Sequence, residues 1–181
     1  MENDVYISPN TEITRLHLAT FGNHVAIDSG FYCTTGLEIG DYVHIGPHVT
    51  CVGGEKGRFI AKGFNNIMAG ARIVCGSDRF DGSGIAGVFI REERHQDTWI
   101  IEPVVMEEFS NVGTNAIVLP GSTLRRGALL TAGSLLMGDT EEWGVYKGNP
   151  AVLVKKINPE RILRNAREMG YGENIFKNST K

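Results

Sequence analysis

At 181 residues, with 41% hydrophobic and 22% charged side chains, the chain suits one globular domain and excludes a low-complexity or disordered sequence. Three cysteines without a CxxC pair exclude a disulfide framework and point to a reducing, cytoplasmic compartment. The net charge of −3 hides an uneven distribution: residues 1–143 carry 10 Lys/Arg against 18 Asp/Glu, and residues 144–181 carry 8 against 3.

The polar, acidic start MENDVYISPN is not a signal peptide, and no apolar run approaches the roughly 20 residues of a membrane span. From residue 21 a six-residue period takes over. Phe21, Ile27, Cys33, Ile39, Ile45 and Cys51 keep one phase, and Val25, Phe31, Leu37, Val43 and Val49 follow the first five at four places. A helix repeats its apolar face every 3.6 residues and a strand every two, so neither alone explains this pattern. A fixed short period means a solenoid, and hexapeptide repeats predict a parallel β-helix of short strands with tight corners.

The phase then breaks. Cys51 to Ala61 is one repeat plus four residues, the excess falling in the turn-like VGGEKG. Ile67 and Ile73 resume the period, and residues 77–98, SDRFDGSGIAGVFIREERHQDT, leave it for a long polar loop. A long irregular loop between regular coils is read as a projecting functional segment. A third block is expected from near Ile100 through Met106, Val112, Val118, Leu124 and Leu130 to Leu136, with the small residues Ala116, Ser122, Ala128 and Ser134 between. The repeat stops after Trp143. Asn158 and Pro159 then open a helix whose apolar face is Ile162, Leu163, Ala166 and Met169, with Gly170 as its stop. The domains are therefore 1–157, the β-helix with its loop at about 77–98, and 158–181, a C-terminal helix and tail.

The repeat, the loop opening SDRFDG, the segment VGTNAIVLPGSTL and the tail WGVYKGNPA resemble the hexapeptide-repeat acyltransferases over residues 20–157. The subgroup it resembles most is that of bacterial sugar acetyltransferases acting on nucleotide-activated amino-deoxy sugars or surface-polysaccharide sugars. The resemblance implies a left-handed parallel β-helix, a homotrimer with active sites between adjacent subunits, and acetyl-CoA as co-substrate without a metal. Arg79 stands where that subgroup typically has a second Asp, and no His lies at 77–80, where the maltose and galactoside O-acetyltransferases carry their catalytic one.

Acyl transfer from a thioester needs a deprotonated nucleophile and loses a thiolate with a pKa of about 8.5, an easy leaving group. A sugar hydroxyl wants a positioned base, most often His, whereas an amine needs only an orienting carboxylate or relay. N-acetylation is therefore preferred, with O-acetylation of a polysaccharide or oligosaccharide sugar as the alternative. Asp78 is the first candidate base, its competing role being to cap the loop turn. His44 and His48 in YVHIGPHV are the other two, with surface or subunit packing as the competing role, and His17, His24 and His95 have no stronger claim. Ser77, Arg79, Phe80 and Trp99 are candidate substrate contacts, the aromatic pair by stacking on a base or sugar face. Thr114, Asn115, Thr131, Ala132 and Gly133 are carried over by resemblance as a pantetheine groove, with Asn149 from the GNPA tail. Lys147, Lys155 and Lys156 are candidates for the CoA phosphates, or are solvated charges. Cys33 and Cys51 fall on inward positions as small core residues, and Cys75 falls off that register without becoming a nucleophile.

Two other classes fit a hexapeptide solenoid. A zinc enzyme like the γ-class carbonic anhydrases needs about three protein ligands, and His44 and His48 lack the expected spacing and a third partner. A non-catalytic scaffold explains the repeat but not the polar loop. No basic–aromatic pattern favours nucleic acid.

Overall fold

The computed structural model describes residues 4–87 and 98–171. Its described residues wind into a β-solenoid of about seven turns with three faces of parallel strands, a 3-10 turn at Leu16–Leu18 and an α-helix at Glu160–Glu168. The parallel β-helix read from the six-residue period is the architecture found. Strand register pairs Ile27 with Ile45 and Cys33 with Cys51, residues 18 apart, so three hexapeptides complete one turn.

The six-residue phase becomes three columns on the inner wall, one on each face. On one face Ile27, Ile45, Ile67, Val112 and Leu130 stand in register, each fully buried. Ile13, Cys33, Cys51, Ile73, Val118 and Leu136 line the second face, and Phe21, Ile39, Ala61, Met106 and Leu124 the third. Each buried aliphatic side chain is worth about 1.5–3 kcal/mol against exposure, and stacking the rungs is what supplies that burial. The small residues Ala116, Ser122, Ala128 and Ser134 are also buried.

Two expectations are corrected. Cys75 is fully buried, because Gly53 of the preceding rung lies directly over it. Ile100 does not start the third block: it belongs to Trp99–Ile101, which pairs antiparallel with Gly76–Asp78, and the coil resumes at Val104–Met106.

One corner carries a feature absent from the repeat analysis. His24, Tyr42, Phe64 and Phe109 occupy it on successive levels and Trp143 two levels further, all with φ between 53° and 64°. Left-handed backbone is costly for bulky residues and persists where surrounding contacts impose it. Here the rings stack: Tyr42 on Phe64 at 4.9 Å, Phe64 on Phe109 at 4.9 Å, and Phe109 on Trp143 at 6.2 Å. The last gap is wider because Gly127 sits between them, with the indole where a Cβ would be.

At the C-terminal end the hairpin Gly144–Gly148 and Ala151–Lys156 covers the last rung, its turn holding a cis Asn149–Pro150 bond. Its outer strand is a free edge, and Lys155 and Lys156 are the kind of charge that protects such edges. The helix begins at Glu160, whose N–H donates to the Asn158 side chain at 3.0 Å. Ala166 is its buried contact, whereas Ile162 and Met169 are exposed, so the expected apolar face is only partly used. Gly170, at φ 88°, closes it. Tyr171 then meets Tyr42 and Phe64 edge-on, at 5.5 and 4.7 Å. Burial, then the Tyr42 hydroxyl bond, push its phenol up to about 12. No helix among the described residues is long and apolar enough to cross a membrane.

Candidate active site

The two phase breaks open at the same corner. Gly53, which starts the extra residues of the VGGEKG turn, and Gly76, which starts the long excursion, lie back to back. A Cβ on Gly76 would stand 3.0 Å from the Gly53 Cα, so two side chains would not fit between these departing strands. The result is a cavity of about 450 Å³ lined by Gly53, Gly54, Glu55, Lys56, Gly76, Ser77, Asp78, Trp99 and Ile101. That volume is in the range of small-molecule sites.

The antiparallel pair sets the chemistry of one wall. Asp78 is opposite Trp99 in register, and Arg79 N–H donates to the Thr98 carbonyl at 2.6 Å. Ser77 Oγ donates to the Asp78 carbonyl at 3.1 Å. The Asp78 carboxylate has no hydrogen-bond or ionic partner among the described residues. It therefore does not cap the loop turn; Asp81 does that, receiving the Ser83 N–H at 2.9 Å. The Ser83 hydroxyl and N–H hold the Asp81 carboxyl below its usual value.

Of the substrate contacts expected from sequence, Ser77 and Trp99 line this cavity beside Asp78, with Trp99 half exposed. Arg79 and Phe80 do not, and Phe80 is 80% exposed. Phe89 and His95 lie outside the described residues. The sequence reading missed Glu55, Lys56 and Ile101. For Glu55 and Lys56 the signal is the four-residue excess after Cys51, a turn in the period; Ile101 carries none.

The described histidines are not among the cavity-lining residues. His44 Nε2 is 2.9 Å from Asp28 Oδ2 on the preceding rung, an imidazole oriented by a carboxylate. His48 takes a left-handed corner at φ 58° and its ring fills the space beside Gly30. Its carbonyl accepts from Arg72, so it serves the coil. Among the described residues, no group of three His, Cys, Asp or Glu side chains is placed to hold a metal ion.

The cofactor candidates form a different stretch of surface. Thr114, Asn115, Ala132 and Gly133 stack on consecutive rungs, joined by a Gly133 N–H donating to the Thr114 carbonyl at 2.9 Å. Gly113 is under this stack because a Cβ would sit 2.5 Å from the Ala132 nitrogen. Thr131 is turned partly inward, with its hydroxyl 3.0 Å from Ser134 Oγ. Lys147, Lys155 and Asn149 belong to the capping hairpin. Lys156 is already paired with Glu141 at 2.6 Å, and that contact raises its pKa.

No protein-family model matches the chain. The dTDP-4-amino-4,6-dideoxy-D-glucose acyltransferase of Escherichia coli is 29% identical over 168 residues, 88% of this chain and 79% of that protein. A probable macrolide acetyltransferase of Lysinibacillus sphaericus is 26% identical over 77% of this chain and 76% of its own length. Among solved structures, a variant of AntD, an N-acyltransferase from Bacillus cereus, was crystallised with dTDP-4-amino-4,6-dideoxyglucose and coenzyme A. It superposes with a TM-score of 0.85 at 23% identity, over 93% of this chain and 89% of that one.

Proposed function

We propose that this chain, which belongs to the hexapeptide-repeat acyltransferases, moves an acetyl group from acetyl-CoA to the amine of a nucleotide-linked amino-deoxy sugar. The observation that carries this reading is the cavity where an unpartnered carboxylate, Asp78, stands beside an exposed indole, Trp99, at the interrupted rung. The relatives' substrates, an amino sugar on a thymidine diphosphate and coenzyme A, support it.

In the proposed reaction the neutral amine attacks the thioester carbonyl carbon, a C–N bond forms and the carbonyl oxygen takes the negative charge. Collapse breaks the C–S bond, the CoA thiolate leaves, and the surplus amine proton passes to Asp78 or to water it orders. Easy thiolate departure removes the need for a strong acid, so Asp78 chiefly orients the amine and accepts its proton. Trp99 offers a flat apolar wall for the sugar or base, and Ser77 lies at the same opening. Acetyl-CoA is placed along Thr114, Asn115, Thr131, Ala132 and Gly133. Its phosphates are placed towards Lys147 and Lys155, with Asn149 in the intervening turn and Lys156 sharing its charge with Glu141. Residues 1–157 are the transferase unit of a cytoplasmic homotrimer serving surface-polysaccharide synthesis, and 158–181 its appendage.

The His44–Asp28 pair favours a second reading, O-acetylation, because a carboxylate-held imidazole is the group a sugar hydroxyl needs. The test is mass spectrometry of the purified chain with acetyl-CoA and a panel of amino-sugar nucleotides and their hydroxyl counterparts. Acetylation of the amine alone supports the first reading, acetylation of a hydroxyl the second, and neither product refutes both.

A further inference from the structure

The VGGEKG turn lines the same cavity as the hairpin. Its backbone is anchored. Arg58 Nη1 donates to the carbonyls of Glu55 and Gly57, each at 2.7 Å, and Gly57 N–H returns to Gly54 at 3.3 Å. Gly57 is fixed over Thr35, whose hydroxyl lies where a Cβ would be. From this fixed turn the side chains of Glu55 and Lys56 project, exposed and without a hydrogen-bond or ionic partner among the described residues.

The lining therefore carries charges of both signs. Among the described residues that line the cavity, Glu55 and Asp78 are anionic and Lys56 is the one cation. A substrate with an ammonium or amine at one end and a diphosphate at the other has one favourable orientation here. Its amine lies against Asp78, and its diphosphate, repelled by both carboxylates, lies against the Lys56 ammonium. Resting on the acyl-transfer reading of this cavity, we infer that Lys56 anchors the diphosphate and makes the enzyme select a nucleotide-linked amino sugar over the same amino sugar without its nucleotide. An exposed side chain on a backbone held by other residues can be replaced without disturbing the fold, which makes the inference testable.

The experiment compares wild type, Lys56→Ala and Lys56→Arg in steady-state acetylation of the nucleotide-linked and the free amino sugar, with dTDP binding followed by calorimetry. Loss of one exposed charge contact to phosphate is expected to raise KM for the nucleotide-linked sugar about 3- to 10-fold in Lys56→Ala. The kcat and the KM for acetyl-CoA are expected to stay within about twofold, a contact made equally in ground and transition state being one that moves KM alone. Lys56→Arg restores most of the affinity, and all three proteins handle the free sugar alike. An unchanged KM in Lys56→Ala overturns the inference, and so does an equal loss on both sugars, which marks a structural effect. If no variant acetylates any amino sugar but dTDP binding still weakens in Lys56→Ala, the acyl-transfer reading fails and the Lys56 anchor stands. If wild type acetylates and dTDP binds Lys56→Ala as tightly, the anchor fails and the transferase stands.

Discussion

Replacing Gly127 by Ala tests whether the aromatic column is a structural spine. Gly127 has φ 65°, and a Cβ there would lie 2.0 Å from Cε3 of Trp143. Two costs follow. A left-handed alanine carries about 1–2 kcal/mol of backbone strain, and displacing the indole forfeits an aromatic contact worth about 0.5–1.5 kcal/mol. Together they amount to about 1.5–3.5 kcal/mol, a fall in Tm of about 3–14 °C for a domain of this size. Gly138→Ala is the control: its φ is 83° and no atom lies within 4 Å of the added carbon, so only the strain cost applies. The assay is thermal denaturation followed by circular dichroism, with indole fluorescence in a Trp99→Phe background to report on Trp143. Gly127→Ala should be the less stable variant and should shift the emission. The two costs should also separate in a Trp143→Ala background, where Gly127→Ala loses only the strain cost. If Gly127→Ala is no worse than Gly138→Ala, or costs the same with and without the indole, the packing argument is wrong.

At the site, Asp78→Asn should lower kcat at least about 100-fold while leaving the KM for acetyl-CoA unchanged; an unaltered rate removes Asp78 from the chemistry. Replacing Lys147 and Lys155 together by Ala should raise the KM for acetyl-CoA about 3- to 10-fold, as expected for two exposed charges on phosphate. Lys156→Ala should have the smaller effect, since its charge is already shared with Glu141, and the reverse order would contradict the assignment. The His24 N–H and ring nitrogen hold the Asp4 carboxyl below its usual value, at 2.7 and 2.6 Å. Because the folded pKa is the lower one, this contribution is complete above about pH 4 and is lost as pH falls through the folded value. Asp4→Asn should therefore flatten the acid limb of a Tm-against-pH curve, and an unchanged limb would show that the pair contributes nothing.

The architecture is legible in the residues alone, because a solenoid writes its geometry into a period. When three hexapeptides make a turn, every sixth side chain faces inward, and Ile27, Ile45 and Ile67 must be apolar whatever the rest of the chain does. Phase breaks were legible for the same reason: an excess after Cys51 and another after Ile73 could only be accommodated outside the coil. The order Ser77-Asp78 at the start of the second excursion placed a candidate carboxylate at its mouth.

What the period could not express is contact between rungs that are not neighbours in sequence. Cys75 is buried because Gly53, on the rung before, lies over it, and the six-residue count alone puts it off register. Ile100 keeps a hydrophobic phase and yet lies in an antiparallel hairpin, since its strand pairs with Gly76–Asp78 rather than with the rung beneath. The aromatic column of Tyr42, Phe64, Phe109 and Trp143 draws on residues at irregular spacings, and only stacking in space makes their left-handed backbone tolerable. The cavity is the same case. Glu55 and Lys56 are more than 20 residues from Asp78, and the pairing of His44 with Asp28 spans 16. Periodicity reports which way a side chain faces within its own rung; which two excursions open at one corner, and so which charges share a cavity, is decided by how the rungs stack.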